Sequence, residues 1–333
     1  MPDIKTQNTI QNILCNNKNL AFILGNGINH YAYRNDNTRK KYVGWNSLIK
    51  NLWEGCDIDF NLTSSMDSIE YAGILLTEIY DLIYVKDVSY TQHGIKKMVL
   101  DYFERYKINI SNDYHKALKD SLIRWDVPVL TMNFDNNLDD GLKRTILTHP
   151  DEAYRKGFTS YYPWNVVYSD KNVSINNVHN TFGIWHVNGM LTYQDSLRLG
   201  LSDYMGQVEK ARSMINGMNS KGEDDSFSGK YMNRWKGYNT WLHILFNKEL
   251  CIAGLSLDIN ENFLRWLLIE RQKYYKKFRD RGVQSHRGWY FHCNVDGKIS
   301  DGKRLFLSSV GLEVVEFDSY REIYEDFLLL QNG

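Results

Sequence analysis

The run Leu20-Ala21-Phe22-Ile23-Leu24-Gly25-Asn26-Gly27-Ile28-Asn29 constrains the fold of this chain more than any other stretch. Five apolar residues are long enough for a buried strand, and they end at two glycines spaced one apart, after which Ile28 to Tyr33 can open a helix. A strand that stops at a Gly-x-Gly turn and feeds a helix brings main-chain N–H groups and the positive end of the helix dipole to one place, where a phosphate can sit. The same turn also arises as tight strand-to-helix packing with no ligand, and the motif alone does not separate the two. The full dinucleotide fingerprint has a third glycine three residues on, where this chain has His30. It also has an acidic strand end about 20 residues later, where this chain reads as a helix start near Gly44-Trp45. An ordinary hydride-transferring dehydrogenase is therefore not expected, and a ribose bound here needs another part of the chain to hold it.

With 333 residues the chain can bury one large core, and it is read as a single domain over 1–333. Its 40 basic and 40 acidic residues cancel, so no broad attraction to nucleic acid or to an anionic membrane is expected. No run approaches the roughly 18 apolar residues of a membrane span, and Met1-Pro2-Asp3-Ile4-Lys5 does not begin a signal peptide. A cytoplasmic location follows as an expectation. Cys15, Cys56, Cys251 and Cys293 are scattered without a Cys-x-x-Cys pair, so neither structural zinc, any other metal site nor a disulfide framework is expected.

Along the chain, residues 4 to 18 carry Ile10, Ile13 and Leu14 at helical spacing. Helical stripes follow the anchoring strand: Trp45, Leu48, Ile49, Leu52 and Trp53, then Ile69 to Ile83, then Ile95 to Phe103, then Tyr114 to Ile123. Together they predict a helical insertion over 45–125. Asp126 to Thr131 is a second buried strand, running into polar Asn133 to Asn137 and a helix. Val166 to Tyr168 and Thr181 to Val187 read as strands, Gly189 as a sharp turn, and Ser202 or Asp203 as the N-cap of a helix. A second mainly helical segment is expected over 201–246, including Tyr231 to Phe246, with an exposed loop over Asn216 to Lys230. Leu250 to Asp258 repeats the first signature, followed by a helix from Ile259 to about Arg281, a strand near Trp289 to His292, a helix over Arg304 to Ser309, a strand over Glu313 to Phe317 and a closing helix over Tyr320 to Leu330. Alternating strands and helices predict an α/β, Rossmann-like, doubly wound and mainly parallel sheet.

Three strand ends then converge on one crevice: Gly25-Asn26-Gly27, Thr131 to Asp135, and Gly254-Leu255-Ser256. A fourth, Ile184-Trp185-His186-Val187-Asn188-Gly189, brings the one histidine placed beside such an end. Asn133 and Asp135 also suit helix capping. In order and spacing these motifs resemble the sirtuin (Sir2) family, specifically the bacterial Sir2-like NAD-hydrolysing branch of antiphage defence systems. The resemblance implies that Gly25, Asn26, Gly27, Ile28 and Asn29 cradle the pyrophosphate of NAD+. It implies that Thr131, Asn133 and Asp135 position the nicotinamide and its ribose, and that Gly254 and Ser256 hold the adenosine side. The four-cysteine zinc module of the deacylase branch is missing, so deacylation is not expected. The family's catalytic histidine directly precedes the glycine, and here that position is Asn188. His186, two residues earlier on the same strand face, either reaches the same ribose or is a structural partner. The implied activity is cleavage of NAD+ to nicotinamide and ADP-ribose, gated by self-assembly or by a separate partner. The alternative is a sensor that binds NAD+ or an ADP-ribose derivative, or a regulatory subunit.

Overall fold

The structure is a computed structural model that describes residues 9–11, 13, 19–56, 74–86, 89–149, 158–215, 232–281 and 283–329. Its strands are β1 (Leu20–Leu24), β2 (Pro128–Thr131), β3 (Lys143–Ile146), β4 (Val166–Ser169), β5 (Gly183–His186), β6 (Glu249–Ala253), β7 (Gly288–Cys293) and β8 (Leu312–Phe317). They form one sheet in the order β3-β4-β5-β2-β1-β6-β7-β8. From β5 to β8 every neighbouring pair is parallel, whereas β4 runs antiparallel to both β3 and β5. The expected α/β, mainly parallel, Rossmann-like sheet is therefore present.

Parallel strands covered on both faces read as unbroken apolar runs, and β1 shows why. Ala21 and Ile23 enter one core with Trp185, Ile252 and Leu267, while Leu20, Phe22 and Leu24 enter the opposite one with Leu118, Leu122 and Phe291. The helices are α1 (Gly27–Ala32), α2 (Trp45–Gly55), α3 (Leu76–Lys86), α4 (Gln92–Tyr106), α5 (Asp113–Trp125), α6 (Leu201–Ile215), α7 (Trp241–Asn247), α8 (Asn262–Lys277) and α9 (Asp301–Ser309). A third core joins α2, α3 and α4 around Ile49, Leu52, Ile83 and Val99. The lobe beside the sheet thus comes from these three helices, and α5 packs on the sheet itself through Leu118, Leu122 and Trp125.

Several expected elements differ. No helix follows β2: Asp135 Oδ1 accepts the N–H of Asn137 at 3.1 Å, and this Asx-turn leads through turns into β3, which sequence reasoning missed. Helix capping by Asn133 or Asp135 is thereby removed. α6 starts at Leu201, so neither Ser202 nor Asp203 is its N-cap; Asp203 reaches back to the N–H groups of Leu199 (3.2 Å) and Gly200 (3.5 Å). The helix expected from Tyr231 shrinks to a 3-10 turn, Met232–Arg234, and α7. α8 begins at Asn262 because the chain after β6 first makes a turn at Leu257, and the closing segment is a π-helical turn, Glu322–Phe327. Leu14, Cys15, Ile69, Ala72, Gly73 and the loop over Asn216 to Lys230 lie outside the described residues.

Candidate active site

The chain lays β2 and β5 on one side of β1 and β6, β7 and β8 on the other, so strand order reverses between β1 and β6. Open α/β sheets form their ligand crevice outside the carboxyl ends of the strands at such a reversal. A cleft of about 1020 Å³ lies there, lined by the ends of β1, β2, β5, β6 and β7 together with Trp45, Tyr204 and Tyr324. Of the residues singled out in the sequence, Asn26, Gly27, Asn133, Asn188, Gly254 and Ser256 line it. Asn29 and Asp135 line a smaller recess of about 50 Å³ that also touches Asn26 and Asn133. Gly25, Ile28, Thr131 and His186 line neither.

Leu24 pairs with Thr131 and Thr131 with His186, and Asn26, Asn133 and Asn188 each follow two residues after those paired positions, so that three neighbouring strand ends each bring an amide to the cleft. The ladder continues past the strands through Met132 N–H to Leu24 O and Val187 N–H to Thr131 O, both 2.9 Å. Asn133 Nδ2 donates to Gly25 O at 3.4 Å, and Thr131 Oγ1 accepts the N–H of Asn133 at 3.2 Å. Asn188 Nδ2 donates to Met132 O at 3.3 Å, and its buried Oδ1 has no partner among the described residues.

Beneath the amides lies a polar network that sequence reasoning did not foresee. Asn29 Nδ2 donates to Asp135 Oδ2 at 2.7 Å, and Asn29 Oδ1 meets His115 Nε2 at 2.9 Å and Asn137 Nδ2 at 3.3 Å. Burial dominates at Asp135 and raises its pKa; the bonds from Asn29 and Asn137 oppose the shift without cancelling it. His186 is 2% exposed, with Nδ1 3.0 Å from Asn133 O and Nε2 3.4 Å from Asp139 Oδ1, a contact that lacks hydrogen-bond alignment. Burial pulls the His186 pKa down, but Asp139, the Asn133 carbonyl and Asp135 together outweigh it and raise the pKa above its ordinary value. His186 thus lines neither cleft nor recess, and its Nδ1 faces the backbone carbonyl of Asn133.

The switch-point loops touch each other closely. Gly27 N–H donates to Gly254 O at 2.8 Å and Gly25 N–H to Ala253 O at 3.0 Å, so two of the amides expected to face a phosphate are already satisfied. A Cβ on Gly25 would lie 2.3 Å from Leu255 Cδ2 and 2.4 Å from Gly254 O. The other wall holds groups the sequence did not single out. Tyr290 donates to Leu255 O at 2.8 Å and accepts from Lys303 Nζ at 2.8 Å, and Tyr31 and Tyr320 flank Tyr324 with ring centroids 4.9 and 6.2 Å away. Glu261, which the sequence did not mark as a site residue, also lines the cleft. Among the described residues no three His, Cys, Asp or Glu side chains gather as a metal site.

No described helix is long and apolar enough to cross a membrane. In the comparisons with known proteins, no family model and no curated protein matches the chain.

Proposed function

We propose that the cleft at the β1/β6 reversal binds NAD+ and that the protein breaks the nicotinamide–ribose bond, releasing nicotinamide and ADP-ribose. What carries this reading is that Asn26, Asn133 and Asn188, from three neighbouring strand ends, line one cleft large enough for a dinucleotide. Nicotinamide leaves from a cationic ring through an oxocarbenium-like transition state. The site therefore has mainly to orient the ribose, admit water and stabilise developing charge. In this reading Asn133 hydrogen-bonds the ribose and the attacking water, and Asn188 offers its unpartnered Oδ1 to a ribose hydroxyl. Asp135 fixes Asn29, and through it the floor of the site. A hydrolase left open would drain NAD+, so the reading includes restraint by homo-oligomer assembly or by a separate partner. A part in antiphage defence rests on the Sir2-like resemblance alone.

One observation favours a second reading, binding without chemistry. Asn188 holds the position of the family's base, and a neutral amide cannot take a proton near pH 7, while His186 lies outside the cleft. Following nicotinamide release from NAD+ alongside thermal unfolding separates the two. Turnover is expected in the wild type and is expected to fall on the order of 100-fold in Asn133→Ala. Stability is expected to change by less than about 1 kcal/mol, because the bond to Gly25 O is long. A protein inert toward NAD+ yet stabilised by ADP-ribose supports the second reading. No stabilisation by either ligand sinks both.

A further inference from the structure

We propose that Glu261, at the head of α8, takes the proton from the water that attacks the ribose as the glycosidic bond breaks; this rests on the NAD+ reading above and adds a residue to it. A base is needed from somewhere, and the three amides cannot supply it. His186 is held against Asn133 O and Asp139 under the floor. Among the described residues three carboxylates line the cleft: Asp258, Glu261 and Asp296. Asp258 accepts from Ser256 Oγ at 2.7 Å and from the N–H of Asn260 at 2.8 Å, and Asp296 accepts from the Tyr320 hydroxyl. Among the described residues the Glu261 carboxylate takes neither a hydrogen bond nor an ion pair.

The backbone delivers it to this place by a costly route. Leu257 has φ +48°, a left-handed conformation that a leucine adopts only when its surroundings compel it. Here its side chain is fully buried and its carbonyl accepts from Arg265 Nη1 at 2.6 Å. The turn brings residues 258–261 back over the cleft, where Asn260 Oδ1 accepts the N–H of Leu76 at 3.2 Å and ties the loop to the helical lobe. Glu261 shares the cleft wall with Tyr204, and its charge helps raise the pKa of that phenol, after burial.

The groups facing Glu261 leave it unneutralised. Asp258 on its own loop repels it, Tyr204 of α6 and Tyr290 of β7 present phenols, Arg265 of α8 lies over Phe306, and Lys303 of α9 is bonded to Tyr290. Burial, then the Asp258 charge, push the Glu261 carboxyl up to about 7, where a base is half ionised at neutral pH. In the step, water oxygen bonds to the ribose C1′ as the bond to the pyridinium nitrogen breaks. That electron pair leaves with neutral nicotinamide, and the water proton passes to the Glu261 carboxylate, which later releases it to solvent.

Nicotinamide release by wild type, Glu261→Gln and Glu261→Asp between pH 5 and 9, with NAD+ affinity measured by calorimetry, tests this. The wild-type rate is expected to rise through pH 7 and level off. Glu261→Gln is expected to lose on the order of 100-fold or more, along with that inflection, while NAD+ affinity changes less than about threefold. Glu261→Asp is expected to keep the inflection at a reduced rate. Since ionising a carboxyl whose pKa the fold raises destabilises the fold, Glu261→Gln is expected to melt no lower than wild type at pH 8, which controls for folding. A Glu261→Gln enzyme with the wild-type rate and profile overturns the proposal and leaves the NAD+ reading standing. Wild-type protein that binds NAD+ but releases no nicotinamide at any pH overturns the proposal and the hydrolase reading together, leaving binding without chemistry. Wild type that does not bind NAD+ overturns the proposal and the whole NAD+ reading.

Discussion

Between pH 6.5 and pH 4 the protein is expected to lose about 3 kcal/mol of stability through His115 alone, whose pKa burial lowers from 6.5 to about 4. His115 is fully buried at the third position of α5, and its ring is committed at both nitrogens. Nδ1 accepts the N–H of Asn112 at 3.2 Å, closing the helix cap, and Nε2 lies 2.9 Å from Asn29 Oδ1. Only the neutral ring with its proton on Nε2 satisfies both contacts; a second proton would set N–H against N–H at the cap. The sign follows from proton counting. In this window the unfolded chain binds the proton and the folded one does not, so stability falls as pH falls. His179, also lowered to about 4, and His243, lowered well below 6.5, add to the loss, both chiefly by burial. Asp135 and Glu261, whose pKa values are raised, oppose it. Urea midpoints at pH 7 and 4.5 measure the effect. His115→Gln, which can still close the cap, is expected to shrink the drop by roughly 2 kcal/mol. An equal drop in both proteins would place the acid sensitivity elsewhere. Because Asn29 also holds Asp135, protonation of His115 is expected to loosen the floor under Asn133 before global unfolding.

Strand positions were legible in the sequence because a doubly covered strand must be apolar on both faces, and β1, β2 and β6 carry that requirement residue by residue. Convergence of their ends followed from topology, so Asn26, Asn133, Asn188, Gly254 and Ser256 could be placed around one crevice before any coordinates. What stayed hidden was what side chains do once folding brings distant segments together. The bonds from Asn29 to Asp135 and to His115 span 106 and 86 residues, and no local pattern announces them. A helix is expected after the polar run Asn133 to Asn137 because Asn and Asp favour caps, but the same side chains close turns equally well, and here they do. Nothing in the sequence singled out Glu261, because it reaches the cleft through the turn at Leu257, and a leucine does not advertise a left-handed conformation.

The glycine turn is where the two readings of the first motif meet, and Gly27→Ala is expected to separate them by costing about 2–4 kcal/mol of stability with no ligand present. A phosphate cradle needs glycine so that a ligand can come close, and then alanine would mainly weaken binding. In this structure the close neighbour is the protein itself: a Cβ on Gly27 would lie 2.3 Å from the Tyr324 hydroxyl and 2.6 Å from Gly254 Cα. The tyrosine can swing aside, but Gly254 cannot, since it holds φ +71° and its carbonyl accepts the N–H of Gly27 at 2.8 Å. Relief therefore requires the β1 and β6 loops to part, breaking that bond and uncovering Leu255, which is 8% exposed. The glycines thus weld two strand ends into one rim, and a ligand would meet the rim rather than a free row of amides. Denaturant unfolding of the ligand-free variant reads the cost directly. Full stability combined with lost NAD+ binding would return the motif to a cradle, whereas a destabilised variant whose residual folded fraction still binds NAD+ would make the glycines purely architectural.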